Sequence, residues 1–509
     1  MTTPDVARFE SVRVRRPPVA ASPAGAGSAV RGNFEWVGVS AALLALAACC
    51  AWPFQDDVPF GRLVFALTLL LVCVAPVVRA TAHRQRILCV FLGWYYLSFG
   101  FGDLVTCFIG SDQQTLAFLR AYSGGGGLFT RGDLAILLGG ACFAGGFFAW
   151  QRVFHDNRTF FARSWSPGAA ITVAVITWLI GTVYSLAYYL SVTPAHIPTH
   201  LLGTPLNIVS NLRLLSLFGA VILIYLTTRK EHRGLVWTLL AIAILLEIVL
   251  GFVANTRTLS YRLMMMLIIG RFMLTGRFNL KLVAILVLSY IPYGMMFTIY
   301  RSEVLGPTGA TPLQAMQTMD RTTETLATGI DESTDVVASS LRTLKDRVNT
   351  RVYVDIITAR TGVDVPFQKG RTILNIAYSF VPRALWADKP VATLGQEFNR
   401  AFGLSKSSLT FVPTTQLGEL YWNYGFVAVI AGMLAIGAFF GAIGNLYYSE
   451  AAFNLPRFII ILFACFFLVT RFEASLASEY GRFGRVVLIL GAFGLGLRLL
   501  GQTRPRGAS

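Results

Sequence analysis

Apolar runs long enough to cross a lipid bilayer recur along the chain from Phe34 almost to its C-terminus. Each run holds roughly 18 to 22 residues, which as an α-helix covers a hydrocarbon core of about 30 Å. Only helices and closed barrels satisfy all their backbone hydrogen bonds inside that core. Of the 509 residues, 55% are hydrophobic and 14% charged, with a mean hydropathy of +0.60, whereas soluble domains are less apolar. The pattern predicts an all-α integral membrane protein with about twelve transmembrane helices.

The predicted helices form two groups, separated by a long polar stretch. They cover residues 34–53, 61–78, 87–106, 134–151, 168–191, 207–227, 234–253, 259–276 and 280–300, followed by 423–447, 456–474 and 482–500. Glycines in the fourth helix are expected to let a neighbouring helix approach closely. These are Gly139, Gly140, Gly145 and Gly146.

This pattern divides the chain into five parts. The Arg-, Ala- and Gly-rich start predicts a disordered cytoplasmic tail, and the long polar stretch predicts a folded extracytoplasmic loop. The parts are the tail at 1–33, the first nine helices at 34–300, the loop at 301–416, the last three helices at 417–500 and a second cytoplasmic tail at 501–509.

The net charge of +17 would suit nucleic-acid binding in a soluble protein, but in a membrane protein the positions of Lys and Arg matter more. If the N-terminus is cytoplasmic, the even-numbered connections and the C-terminus are cytoplasmic too. Basic residues concentrate there, as the positive-inside rule requires: Arg79, Arg84, Arg86, Arg152, Arg158, Arg163, Arg229, Lys230, Arg233, Arg277, Lys281, Arg504 and Arg506. The chain is therefore predicted to be multi-pass with both termini in the cytoplasm, and no nucleic-acid partner is expected.

The loop at 301–416 is too polar to span a bilayer and too long for a simple connector, so it is expected to fold. Its first half carries apolar residues at helical spacing, which predicts amphipathic helices that cap the bundle. These residues are Val337, Leu341, Leu344, Val348 and Val352.

The second half of the loop is basic, although it faces outward. Seven basic residues outnumber three acidic ones there: Arg360, Lys369, Arg371, Arg383, Lys389, Arg400 and Lys406 against Asp364, Asp388 and Glu397. Arginine offers a planar fork of donors that fits phosphate oxygens, so such a cluster beside the membrane suits a diphosphate head group. A solvated basic face fits the charge equally well.

Two segments around this region carry a recognisable order of residues. The segment 370–390 ends in Pro-Arg-Ala-Leu-Trp-Ala-Asp-Lys-Pro, and Gly-Glu-Leu-Tyr-Trp-Asn-Tyr-Gly follows at 418–425. These segments resemble the Wzy-type O-antigen and oligosaccharide repeat-unit polymerases of bacterial polysaccharide synthesis. The helix number and the large late loop are similar to those of that family.

The resemblance implies a GT-C-like membrane glycosyltransferase in the bacterial inner membrane. Such an enzyme joins undecaprenyl-diphosphate-linked oligosaccharides on the periplasmic side, without a nucleotide sugar, and makes O-antigen or exopolysaccharide. Its expected partners are the lipid-linked oligosaccharides, membrane lipid and a chain-length-regulating co-polymerase. Neither a cofactor nor a metal is implied.

The predicted diphosphate clamp consists of Arg371 and Arg383, with Lys389 and Arg400 as helpers, because these residues lie in or beside the resembling segment. They can neutralise the charge that builds up on the leaving diphosphate. The Arg-x10-Gly spacing described for the family is met by neither Arg371 nor Arg383.

Two further arginines are predicted at outer helix ends. Arg257 follows the seventh helix in a polar Asn-Thr-Arg-Thr stretch, and Arg301 follows the ninth. Both face the expected site and are candidates for substrate binding. Arginines at helix ends also simply extend toward the membrane surface.

Glu419 and Asp388 are the candidate catalytic carboxylates. Glu419 stands just before the tenth predicted helix, where partial burial would raise its pKa toward a useful range, and Tyr421 and Asn423 are expected to hold the acceptor sugar. Alternatively, Glu419 stabilises a helix N-terminus and Asp388 pairs with a basic neighbour. Catalysis without a dedicated base is a third alternative.

Two other functions are compatible with the sequence. An O-antigen ligase would transfer finished glycan to a lipid core, but the functional His of its late loop has no counterpart between Arg301 and Gln416. A transporter or lipid-linked oligosaccharide flippase would be expected to show two matching halves, and none is evident. Nothing specific favours a purely structural membrane protein.

Overall fold

The computed structural model describes residues 60–78, 83–104, 130–154, 164–191, 211–228, 232–253, 257–299, 350–379, 381, 386, 394–404, 412–446, 454–501 and 503–504. Within these residues the protein is almost entirely helical. Its long helices are α1 (Phe60–Val78), α2 (Arg86–Phe99, helical again at 101–104), α3 (Arg131–Val153), α4 (Pro167–Ser191), α5 (Leu214–Leu226), α6 (Arg233–Val253), α7 (Arg257–Thr275) and α8 (Leu280–Ile299).

The remaining helices include the described part of the loop and the C-terminal group. They are α9 (Arg351–Arg360), α10 (Arg371–Ser379), α11 (Leu394–Phe402), α12 (Gln416–Asn445), α13 (Leu455–Ala464), a π-helix (Cys465–Val469) and α14 (Leu476–Leu499). Two short strands, β1 (Ser164–Trp165) and β2 (Thr503–Arg504), pair antiparallel.

Each predicted helix from the second to the twelfth has a counterpart, and the first lies outside the described residues. Four described helices are long and apolar enough to cross a membrane: Arg131–Val153, Pro167–Ala187, Arg233–Gly251 and Gln416–Asn445. The described part is therefore that of an all-α protein with candidate membrane-spanning helices.

The predicted start of the tenth helix is wrong. α12 begins at Gln416 rather than at residue 423, because the side chain of Thr415 caps it by accepting the N–H of Gly418. The backbone leaves helical geometry at Tyr424 and Gly425, so a short polar helix precedes the apolar one. Hydropathy predicts only the apolar helix. Glu419 lies in the short polar helix at the start of α12, which the sequence pattern did not predict.

α3 and α12 pack closely against each other and run parallel. A Cβ atom on Gly146 would lie 2.1 Å from the carbonyl oxygen of Leu434, and one on Gly437 would lie 2.1 Å from that of Phe143. Only residues without a side chain permit this approach. The predicted role of the glycines in this helix is confirmed for Gly146.

The described part of the outer loop folds into α9, α10 and α11. Of the apolar positions predicted to form amphipathic helices, only Val352 is described, and it packs against the core from α9. The other four, Val337, Leu341, Leu344 and Val348, lie outside the described residues.

Arg351 attaches this loop to the bundle through three carboxylates. Its buried guanidinium is paired with Asp103 at the end of α2, with Asp133 of α3 at 2.7 Å and with Asp355 of α9 at 3.3 Å. Thr130 Oγ1 also donates to Asp355 at 3.0 Å. Arg351 therefore pairs with carboxylates from three separate helices, and Arg62 of α1 lies 3.9 Å from Asp103 as a second, more distant cation.

Replacing Arg351 with Met should destabilise the protein strongly. The three buried carboxylates would lose their shared counter-charge, which typically costs about 3–5 kcal/mol of unfolding free energy. Thermal and denaturant unfolding in detergent measure this loss. The matched control is Asp364→Asn, which breaks the exposed pair with Arg360 and should cost about 1 kcal/mol at most. Equal stability of the two variants would contradict the assigned role of Arg351.

The same cluster should make stability depend on pH. Burial raises the pKa of Asp355 to about 6, Arg351 opposes that shift, and the charge of Asp133 adds to it. Because folded Asp355 holds its proton more tightly than the unfolded chain does, its ionisation destabilises the fold as pH rises from about 4 through 6.

Asp355→Asn should therefore stabilise the protein relative to wild type at about pH 7.5 and change little at about pH 4, with a difference of up to about 3 kcal/mol. Unfolding temperatures of the two proteins across this range provide the measurement. A difference that does not vary with pH would show that Asp355 does not titrate in this way.

Candidate active site

The described start of segment 370–390, residues 370–379, meets the end of segment 418–425, whereas residues 382–385 and 387–390 lie outside the described residues. Gln368 N–H donates to the carbonyl of Trp422 at 2.9 Å, just before α10. The buried side chain of Asn423 completes the junction, since its Oδ1 accepts the N–H of Gly370 at 2.9 Å. Its Nδ2 donates to Thr372 Oγ1 at 2.6 Å. Asn423 thus fixes the start of α10 on the start of α12.

Gly370 makes this junction possible. Its φ of +87° lies in the left-handed region, and a Cβ atom there would lie 3.0 Å from the hydroxyl oxygen of Tyr424. Most other residues would be strained in that backbone conformation. The glycine that opens the resembling segment is therefore required by its contact with α12.

Glu419 lies in the first turn of α12 and is completely buried. Its Oε2 accepts the N–H of Leu476 at 2.8 Å, and Leu476 is the first residue of α14. Thr372 lies beside the carboxylate, while Oε1 forms no hydrogen bond within the described residues. Glu419 therefore partners the N-terminus of a neighbouring helix, where a negative charge is favoured.

The turn at residues 470–475 is bound to the same place. Thr415 N–H donates to the carbonyl of Glu473 and Gln416 N–H donates to that of Phe472, each at 2.9 Å. The side chain of Gln416 donates to the carbonyl of Leu468 at 3.2 Å. The starts of α12 and α14 and the turn between the π-helix and α14 consequently form one hydrogen-bonded unit around Glu419.

Four arginines gather at the beginning of α14, and we call Arg213, Arg471, Arg482 and Arg485 the arginine cluster. Arg482 Nη1 lies 2.9 Å and Arg471 Nε 3.5 Å from Oε1 of the buried Glu479. Arg213, directly before α5, and Arg485 lie close enough for their charges to act on Arg482. Arg471, Arg482 and Arg485 act on the carboxylate of Glu479 and Arg213 acts on Arg482, so arginines outnumber carboxylates among these described residues.

The arginine cluster can reach an anion from outside the protein. The side chains of Arg471 and Arg482 remain 31% and 34% exposed. Guanidinium groups bind phosphate oxygens through paired, charge-assisted hydrogen bonds. The cluster therefore has the charge and donor chemistry of a phosphate or diphosphate site.

α10 leads from the junction at Asn423 to the arginine cluster. Its last residue, Ser379, packs against Gly481 of α14, where an added Cβ atom would lie 2.7 Å from Ser379 Oγ. Arg482 is the next residue along α14. The chain therefore leaves α10 beside the cluster, four residues before Arg383 in the sequence.

The described members of the predicted clamp lie on the surface of the loop. Arg371 begins α10, is 58% exposed and pairs with Glu397 at 2.5 Å. Arg400 is in the last turn of α11 and donates from Nε to the carbonyl of Gln396 at 3.4 Å. Arg371 therefore bridges α10 and α11, and the structure does not bring either arginine into the arginine cluster.

The other predicted site residues divide into two groups. Tyr421 is buried in α12 with its ring edge-on to Phe426. Arg257 begins α7, five residues before Arg262, whose guanidinium makes two bonds of 2.6 Å to the buried Glu247 of α6. The side chain of Arg257 and the whole of Arg301, Arg383, Asp388 and Lys389 lie outside the described residues.

The arginine cluster is not among the predicted site residues, although one feature of the sequence indicated it. Arg471 and Arg482 flank the connection between the eleventh and twelfth predicted helices, which faces outward by the predicted orientation. Basic residues on an outward connection break the usual charge asymmetry, as those of the large loop do. Arg213 has no such signal, because only the packing of α5 brings it to this place.

Among the described residues, no group of three or more His, Cys, Asp or Glu side chains could hold a metal ion. Comparison of the chain with models of known protein families, with curated proteins and with solved structures finds no match. The proposed function therefore rests on the resembling segments and on the geometry around them.

Two substitutions of Glu419 distinguish the contribution of its charge to stability from that of its hydrogen bond to Leu476. Glu419→Gln keeps a side-chain oxygen that can accept the N–H of Leu476, so stability should stay close to wild type. Glu419→Ala leaves that buried N–H unpaired and should lower the unfolding free energy by about 1–3 kcal/mol. Unfolding in detergent measures both, and an equal loss in the two variants would contradict the capping role.

Proposed function

We propose that this protein is a multi-pass membrane glycosyltransferase that polymerises undecaprenyl-diphosphate-linked oligosaccharide repeat units on the periplasmic side of the bacterial inner membrane. The observation that carries the proposal is the junction of Gly370 and Thr372, at the start of one resembling segment, with Asn423 of the other, together with a partly exposed arginine cluster beside the end of α10. Residues far apart in sequence thus join a polymerase-like element to a group that can bind a diphosphate.

The proposed orientation agrees with the packing of the helices. α3 and α12 run parallel, as expected if both enter the membrane from the periplasm. β1 follows α3 and pairs with β2 near the C-terminus, which suits a shared cytoplasmic side. The arginine cluster and the loop helices lie at the opposite, periplasmic end. Twelve spans in a GT-C-like arrangement, with both termini cytoplasmic, belong to this proposal.

In the proposed reaction, a hydroxyl of the acceptor sugar attacks the anomeric carbon of the donor glycan. The bond between that carbon and the diphosphate oxygen breaks, undecaprenyl diphosphate leaves, and the hydroxyl proton passes to a carboxylate or to water. The arginine cluster would stabilise the charge that develops on the leaving diphosphate. Arg383, which follows α10, and Lys389 are proposed to add to the same clamp.

Glu419 is proposed to act by positioning. Its buried carboxylate holds the first residue of α14, and Glu479, Arg482 and Arg485 project from the following turns of that helix. An error in the start of α14 would displace all three side chains together. The bond to Leu476 therefore accounts for the burial of Glu419 without requiring proton transfer.

Arg482→Ala and Arg485→Ala should each reduce polymerisation by about 100-fold or more, the usual effect of removing one donor that stabilises developing negative charge. The test is complementation of a deletion strain at equal membrane expression, scored by the length of the lipid-linked glycan. Single repeat units are expected to accumulate. Arg498→Ala, an exposed change at the other end of α14, is the matched control and should give normal polymer.

The same strain distinguishes the alternatives. Full-length glycan stranded on its lipid carrier would indicate a ligase, and normal polymer from both arginine variants would remove the arginine cluster from the reaction. Glu419→Gln should give normal polymer if the residue only positions α14. Accumulation of single repeats in that variant would instead assign proton transfer to Glu419.

A further inference from the structure

A cavity of about 190 Å³ lies beside the 470–475 turn, two of whose residues line it. Its walls include Trp94, Ser98 and Phe101, which lie on one face of α2 because they are four and three residues apart. Thr350, Thr470 and Glu473 complete the rim. The cavity therefore combines two aromatic rings with several hydroxyl groups and one carboxylate.

This lining fits a sugar ring. A pyranose presents a face of C–H groups, which can stack on an aromatic ring, and a rim of hydroxyl groups that need hydrogen-bond partners. Thr350 Oγ1 donates to the carbonyl of Ser98 and Thr470 Oγ1 to that of Phe466, so both hydroxyl oxygens can still accept hydrogen bonds from a ligand. Glu473 supplies an anionic acceptor.

Two other occupants fit less well. A diphosphate would be repelled by the carboxylate of Glu473, the one ionisable group in this lining. Three of the seven lining residues carry hydroxyl groups and one carries a carboxylate, and these polar groups offer hydrogen bonds that a sugar can use and a polyprenyl chain cannot. The cavity is also smaller than the roughly 300–1,000 Å³ of sites that enclose a whole drug-sized ligand, so it suits a single sugar.

We propose that this cavity binds the terminal sugar of the acceptor repeat unit, stacked on Trp94 and Phe101 and hydrogen-bonded through a hydroxyl to Glu473. The inference rests on the proposed polymerase function and names the acceptor site within it. The 470–475 turn then separates two subsites, since Arg471 faces Glu479 in the arginine cluster while Thr470 and Glu473 face the cavity. A donor diphosphate and an acceptor sugar would meet across one turn.

Protection of an introduced cysteine tests this site without requiring turnover. Leu97 lines the cavity and is 38% exposed, and Val363, between α9 and α10, is 78% exposed and does not line it. Full-length Leu97→Cys and Val363→Cys proteins in lipid vesicles are labelled with a water-soluble maleimide, and the modified peptides are quantified by mass spectrometry. The probes are methyl glycosides of glucose, galactose, mannose, rhamnose and N-acetylglucosamine.

At least one glycoside should slow the labelling of Leu97→Cys several-fold and leave that of Val363→Cys unchanged. Adding Glu473→Gln should raise the glycoside concentration for half-protection by about tenfold or more, because a hydrogen bond to a charged group is lost. No protection by any glycoside, or protection by undecaprenyl phosphate alone, would overturn the proposal.

The result is separable from the test of the polymerase function. Glycoside protection in a protein whose Arg482 and Arg485 variants make normal polymer would leave the sugar site standing and remove the proposed diphosphate clamp. Single repeats in those variants without glycoside protection would keep the polymerase function and reject this cavity as the acceptor site.

Discussion

The bond between the carboxylate of Glu419 and the N–H of Leu476 fixes two helices that no short connection joins. The buried start of a helix leaves N–H groups without partners, so an acceptor must come from elsewhere in the fold. Glu419 supplies it from the first turn of α12, and the 470–475 turn adds backbone bonds to Thr415 and Gln416. The directions of α12 and α14, and everything that projects from their first turns, depend on this unit.

Charge is distributed around this unit in two different ways. In the attachment of the loop, Arg351 pairs with three buried carboxylates, one of which also lies 3.9 Å from Arg62, and the result is a buried structural joint. In the arginine cluster, several partly exposed cations surround one carboxylate, and the result is a surface that attracts anions. Burial and the ratio of charges separate the two roles, although both use the same residue types.

The functional proposals place opposite chemical demands on one short turn. The diphosphate of a lipid-linked donor needs positive charge and planar donors, whereas an acceptor sugar needs an aromatic surface and hydrogen-bond acceptors. Residues 470–473 contribute to both, since Arg471 pairs with Glu479 and Thr470 and Glu473 line the cavity beside α2. Such a division would bring the attacking hydroxyl and the leaving group together while keeping the Glu473 carboxylate away from the diphosphate.

The sequence by itself determined the helices, because an apolar run of bilayer length is a local property and its backbone bonds close within the same segment. It also determined that Gly146 permits close packing. It predicted the first residues of α12 and α14 poorly, because the capping residues Thr415 and Ser475 contribute nothing to hydropathy. Only the tertiary structure decided that Glu419 accepts the N–H at the start of α14, that Arg351 pairs with Asp103, and that Arg213 lies near Arg482. These pairs lie far apart in sequence, and the packing of helices, not any local pattern, sets their distance.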